Sequence, residues 1–260
     1  MQGSELIARF ETFAPRSLAV PGDPIGVQIG DPARDVHKVL VTLDVRPEVV
    51  QEAIAGGYDM IFAHHPAVFR PVRNLNTQDP QIAMYAACLK HDLLVYAAHT
   101  NLDTAVGGMN DWLAEALGLG QVRPFIEAGD EAHMGRIGSL PAPVALQDYV
   151  QQVKRIFHLQ GLRVIANDLN RSVQKVAVLG GDGGKFFKDA KLAGADVYVT
   201  GDVYYHVGHD MLAADMPVID PGHHIESIMK AKVADLLTQW FGASLQVQAS
   251  ALNTDPYTFM

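Results

Sequence analysis

Residues 36–66 read VHKVLVTLDVRPEVVQEAIAGGYDMIFAHHP. The apolar, β-branched run at 36–43 predicts a strand, and Pro47 then opens a helix over 48–55 that Gly56 and Gly57 close. Residues 59–63 are strand-like again, and the run ends on His64, His65 and Pro66. The pattern continues outward from this stretch. A helix is expected over 80–90, a strand over 93–98, a loop over 99–109, and a helix over 111–117 with Asn110 as N-cap and Gly118 as its stop. Upstream, Leu6, Ile7, Phe10 and Phe13 recur at helical spacing behind Ser4, a candidate N-cap, and Pro15 ends that run. Strands alternating with helices specify a layered α/β fold with substantial parallel pairing.

Residues 120–143 break every periodicity through Gly129, Gly135, Gly138, Pro141 and Pro143, so a crossover between domains is expected there. Beyond it, Leu146, Val150, Val153 and Phe157 trace an amphipathic helix. Residues 176–179, 197–200 and 217–219 read as buried strands, 225–241 as a last helix and 244–249 as a last strand.

Composition limits the function classes. The chain has 260 residues, 48% of them hydrophobic, with 20 Lys and Arg against 29 Asp and Glu and a net charge of −9. That is enough apolar material for a core, and an acidic balance without a basic run argues against nucleic acid as the main partner. Apolar stretches stay strand-sized, far below the roughly 20 residues of a membrane span. Residues 1–10 lack the basic and apolar stretches of a signal peptide, and a single Cys88 suits a reducing compartment, so a cytoplasmic location is expected. The 11 histidines, several beside Asp, Gly and Pro, direct attention to metal chemistry.

Ligands of open α/β sheets bind beyond the carboxyl ends of the strands. Four such places carry metal-competent side chains: His64 and His65; His99 and Asp103; Asp202 and His206; Asp220, His223, His224 and Glu226. Adjacent residues of an extended chain point to opposite sides, so His64 and His65 would serve separate ions unless the chain turns. His223 and Glu226, three apart at a helix start, share a face. Asp103 and Glu226 are candidate bridges between two ions, with His99 and His206 orienting ligands or moving protons. Each residue also has a plainer reading: a hydrogen-bonded core histidine, a turn aspartate, a first-turn acid. All of those would have to hold together. The Gly180-Gly181-Asp182-Gly183-Gly184 run could cradle a phosphate with bare amides or be a tight turn beside the site; it lacks the Ser or Thr of a P-loop. Cys88, among Met84, Tyr85 and Leu89, reads as a core thiol.

Phe62-Ala63-His64-His65-Pro66, Ala98-His99-Thr100-Asn101-Leu102-Asp103, Gly107-Gly108-Met109-Asn110-Asp111, Gly201-Asp202-Val203-Tyr204-Tyr205-His206 and Asp220-Pro221-Gly222-His223-His224-Ile225-Glu226 together resemble the NIF-three-like family, the GTP cyclohydrolase 1 type 2 homologues. The resemblance implies two layered α/β domains with mixed sheets, expected at 1–123 plus 222–260 and at 124–221, and a metal site in the cleft between them. It further implies two metal ions per chain, held by His64, His65, Asp103, His223 and Glu226, with His99 and His206 close by; the donor types suit divalent Zn, Mn, Fe, Co or Ni, and His99 and His206 are the candidate catalytic residues. Assembly would be a toroidal homohexamer. The expected function is a metal-dependent hydrolase acting on a small nucleotide or phosphate-containing substrate, with no membrane association; the alternative is a non-catalytic, ring-forming metal-binding or interaction scaffold. The chain departs from the family in its early loop, where Asp23-Pro24-Ile25-Gly26-Val27-Gln28 replaces the usual Asp-Asn before Gly-Leu-Gln, and it lacks the inserted domain of longer members.

Overall fold

The β-branched runs of the first half pair as predicted in the computed structural model, which describes residues 1–260. β2 (Lys38–Thr42), β3 (Met60–Ala63) and β4 (Leu94–Ala97) lie parallel, separated in sequence by α2 (Pro47–Gly56) and α3 (Pro80–Lys90). β11 (Gln246–Ala249) adds in parallel to β2, and β1 (Gly26–Ile29) adds antiparallel to β4, giving the order β1-β4-β3-β2-β11. Alternation along the strands fills both faces. Leu40, Ile61 and Val95 pack with Val49, Val50 and Ala53 of α2 and with Met84 and Cys88 of α3. On the other side Phe62 packs edge-on against Phe10 of α1 (Gly3–Phe13) and tilted against Tyr96, at ring separations of 4.6 and 5.3 Å. Trp240 of α9 (Met229–Phe241) extends that aromatic cluster. The N-cap of α1 is Gln2 rather than Ser4, and its backbone N–H donates to Glu5.

The chain divides into two units, Met1–Ala105 with Ser227–Thr254 and Val106–Glu226 with Asp255–Met260. This division places α5 (Met109–Ala116) and β5 (Gly120–Arg123) in the second unit, whereas the sequence reading set them in the first domain. Packing explains the difference, because α5 rests on β6 (Arg136–Ala145) and β8 (Ser172–Asp182) and β5 pairs with β6. The second sheet has the order β5-β6-β8-β9-β10-β7. β9 (Val197–Gly201) runs parallel to β8 and to β10 (Val218–Asp220), while β7 (Arg163–Ile165) closes the edge antiparallel to β10. The stretch expected to be irregular thus contains β5 and β6. Pro141 and Pro143 sit in β6 where its pairing with β8 shifts register, the position in a strand that tolerates a missing N–H. α6 (Leu146–Ile156) buries Leu146, Tyr149, Val150 and Val153; α7 (Phe187–Leu192) and α8 (Tyr205–Ala213) complete the unit. No helix is long and apolar enough to cross a membrane.

Candidate metal-binding residues

In the first unit the chain bends as it leaves β3, and the backbone N–H groups of His64 and His65 both reach the carbonyl of Leu43. The bend removes the opposed orientation expected of neighbours on an extended chain. One ligand nitrogen from each of His64, His65 and His99 lies within 4.8 Å of the others, with ring centroids 4.9 to 5.6 Å apart. Three hydrogen bonds aim these rings. His64 Nδ1 donates to the Ala98 carbonyl at 2.7 Å, His65 Nδ1 to Asp44 Oδ1 at 2.6 Å, and His99 Nδ1 to Asp23 Oδ1 at 2.9 Å. Each acceptor has no proton to give, so Nδ1 carries the hydrogen and Nε2 becomes the ligating nitrogen. Asp103, on the short α4 (Thr100–Thr104), brings Oδ1 to 3.5 Å from His64 Nε2, and both residues are buried.

Electrostatics single out His99. Burial pushes its pKa down, but the hydrogen bond to Asp23 and the charges of Asp103 and Asp23 outweigh burial and raise it above the ordinary value. Asp23 shows the converse: burial pushes it up, yet the bond and charge of His99 and the bonds from Thr100 bring it below the usual carboxylate range. The Thr100 backbone N–H reaches Asp23 Oδ2 at 3.0 Å, and its hydroxyl donates to the same oxygen.

In the second unit His223 and Glu226 occupy a 3-10 turn, His223–Ile228, which directly follows the Asp220–Gly222 exit from β10. Side chains three apart eclipse in that geometry, and His223 Nε2 lies 3.1 Å from Glu226 Oε2. His223 Nδ1 donates to Asp202 Oδ2 at 2.8 Å, again directing Nε2 outward. Asp202 holds a left-handed backbone, φ +53°, which Asp tolerates better than most residues. Space for the carboxylate comes from missing side chains. A Cβ on Gly180 would stand 2.7 Å from Glu226 Oε1, and one on Gly181 3.0 Å from the same atom and 3.4 Å from His223 Nε2. The glycine run is therefore the tight element beside these residues. The amide of Gly180 donates to Asn110 Oδ1 and that of Gly183 to Thr200 Oγ1, which leaves these two amides committed within the protein.

His64, His65, His99 and Asp103 thus come together within one unit, and His223 and Glu226 within the other. His206 lies outside these groupings: it is exposed on α8, its ring edge-on to Tyr205 at 5.4 Å. Asp220 is buried and neutralised by Arg163, and its oxygens also accept from the amides of Val203 and Gly222, so it serves the framework. Asp23 and Asp44 were not singled out by the sequence reading. Asp44 carried a usable signal, being the first acid after β2, and Asp23 belongs to the early loop whose wording departs from the family.

The donor chemistry fits a borderline divalent ion, because imidazole nitrogens oriented from behind by carboxylates or a carbonyl, beside buried carboxylates, are what Zn, Mn, Fe, Co or Ni sites use. Residues 1–256 match the family Duf34/NIF3 (NGG1p interacting factor 3). The chain is 41% identical over 263 residues to the GTP cyclohydrolase 1 type 2 homolog of Streptococcus pneumoniae, covering 99% of each, and 39% identical to that of Lactococcus lactis, again covering 99% of each. Its fold matches the crystal structure of a Bacillus cereus protein related to NIF3 with a TM-score of 0.94 at 32% identity, over 100% of this chain and 99% of that one. The chain belongs to the Duf34/NIF3 family.

Proposed function

We propose that the protein is a dinuclear metal-binding hydrolase, its two divalent ions ligated by His64, His65 and Asp103 of the first unit and by His223 and Glu226 of the second. The observation that supports this best is the common wiring of His64, His65 and His223, each with Nδ1 tied to a carboxylate or a carbonyl so that Nε2 is the coordinating atom. When bound, such ions supply Lewis-acid activation of water and of the group under attack. The chain's own residues contribute the rest. His99, raised in pKa through its hydrogen bond to Asp23 and the charges of Asp103 and Asp23, acts as the general acid–base. Thr100 fixes Asp23, so the brace is set before any ligand arrives. The cyclohydrolase wording carried by the relatives motivates a nucleotide or phosphate-ester substrate. A homohexamer and a cytoplasmic location complete the reading, and sedimentation and cell fractionation test them.

The deciding experiment is elemental analysis of untagged protein, beside an assay of nucleotide and phosphate-ester turnover. About two ions per chain, lost together with turnover when His64, Asp103 and Glu226 are all replaced by Ala, is the expected result. Turnover that survives the triple replacement would overturn the hydrolase; ions bound without any turnover across the panel would favour a metal-binding scaffold.

A further inference from the structure

Within the second unit, a cleft of about 360 Å³ opens between the edge strand β7 and helix α8. Its size falls in the range of small-ligand sites. Ile165, Val203 and Leu212 make it apolar, and Gly208 faces Ile165 across it, where a Cβ would reach ordinary van der Waals contact at 3.6 Å. Polar groups stand around this apolar lining. Arg163 has one arm of its guanidinium committed to the buried Asp220, which holds the group in place and leaves its remaining N–H donors toward solvent. Tyr204 and Tyr205 are 69% and 77% exposed, an unusual display for two adjacent large aromatics. The Tyr205 ring is steadied edge-on by His206 and by His209, the latter at 4.9 Å and itself in the cleft wall.

We propose that this cleft is a second binding site, separate from the metal-ligating residues, for a small planar aromatic anion: a ring bearing a carboxylate or a phosphate. The ring stacks on Tyr205 over the Ile165 and Leu212 floor, and the anionic group pairs with Arg163 and accepts from His209. An apolar floor alone would accept any greasy fragment. The fixed guanidinium selects the anion.

Backbone amide chemical shifts of the full chain, titrated with phenyl phosphate, benzoate, inorganic phosphate and benzyl alcohol, test the proposal. Phenyl phosphate or benzoate, or both, should saturate at about millimolar concentration or below with shifts at 163–165 and 204–209, and whichever binds identifies the preferred anion. Inorganic phosphate and benzyl alcohol should each bind about tenfold more weakly or not at all. Tyr205→Ala and the cleft-filling Gly208→Leu should each weaken binding about tenfold, with metal content unchanged. Arg163→Lys retains a cation for Asp220, so the unit stays folded while the planar fork is lost; it should weaken the aromatic anions and leave benzyl alcohol unaffected. Equal binding of benzyl alcohol and benzoate would overturn the proposal, as would saturation confined to the amides around His64, His99 and His223. Shifts along β7 alone, untouched by Tyr205→Ala, would overturn it in favour of strand addition at the open sheet edge.

Discussion

The two units prepare their donor residues by different means. In the first, two of the three histidines are aimed by deeply seated partners: His64 is fully buried against a main-chain carbonyl, and the Asp23 side chain behind His99 is 3% exposed. In the second, His223 and its partner Asp202 are each more than a third exposed, and the buried member, Glu226, depends on two glycines that make room for it. One set is positioned by hydrogen bonds, the other chiefly by vacated space. Hydrogen-bonded positioning degrades gradually when a partner is altered. Steric positioning fails abruptly when a single methyl group intrudes.

That contrast orders the expected effects. Gly180→Ala should have the largest, because its Cβ meets the Glu226 carboxylate and also Leu113 at 3.1 Å; metal affinity measured by competition with a chelating dye should fall by about a hundredfold or more, beyond the range of outer-partner losses. A wild-type affinity in this variant would show that Glu226 is not held by that space. Asp44→Asn should cost about 10- to 100-fold in the same titration, since it removes the carboxylate that orients His65. Asp202→Asn should lie at the low end of that range, about tenfold, because the exposed His223 can recruit water in its place. If Asp202→Asn proved the more damaging of the two, the contrast between the units would be reversed. The smallest effect concerns Cys88 in the core of the first unit, where burial pushes the thiol up to about 11. A group raised in the folded state favours folding below its unfolded pKa, and that contribution disappears as pH climbs through the folded value. At pH 8.5 its thiolate fraction is about a hundredfold below that of an exposed cysteine, so alkylation should be correspondingly slow, and rapid labelling would mean the first unit opens readily.

The parallel strands of both sheets were legible because buried parallel strands are continuous β-branched runs: 36–43, 59–63, 176–179 and 197–200 all fall on strands. The edges were not. β1 is four residues long, β5 is exposed throughout and β7 has three residues, so none carries a hydrophobic period, and β6 hid behind its prolines. At the candidate site, residue types announced His64, His65, His99, Asp103, His223 and Glu226. Their local geometry was hidden for two reasons. The bend after β3 depends on backbone bonds to Leu43, a residue on another strand's exit, and His206 shares a motif with Asp202 yet turns outward with α8. The tyrosine pair beside it was read only as part of that motif, although two exposed aromatics opposite an edge-strand arginine now mark a cleft.

The last strand returns to the first sheet only after the chain has run through Val106–Glu226 of the second unit: Gln246 pairs with Lys38 and Ala249 with Val41. During synthesis, therefore, β2 emerges early and waits with one edge bare until nearly the whole chain is made, while the second unit is already complete apart from its short terminal segment. Pairing so distant in sequence is slow to form, and an open strand edge is a template for other chains. The second unit should thus acquire protection first on the ribosome, and nascent chains ending before residue 246 are the forms most in need of a chaperone.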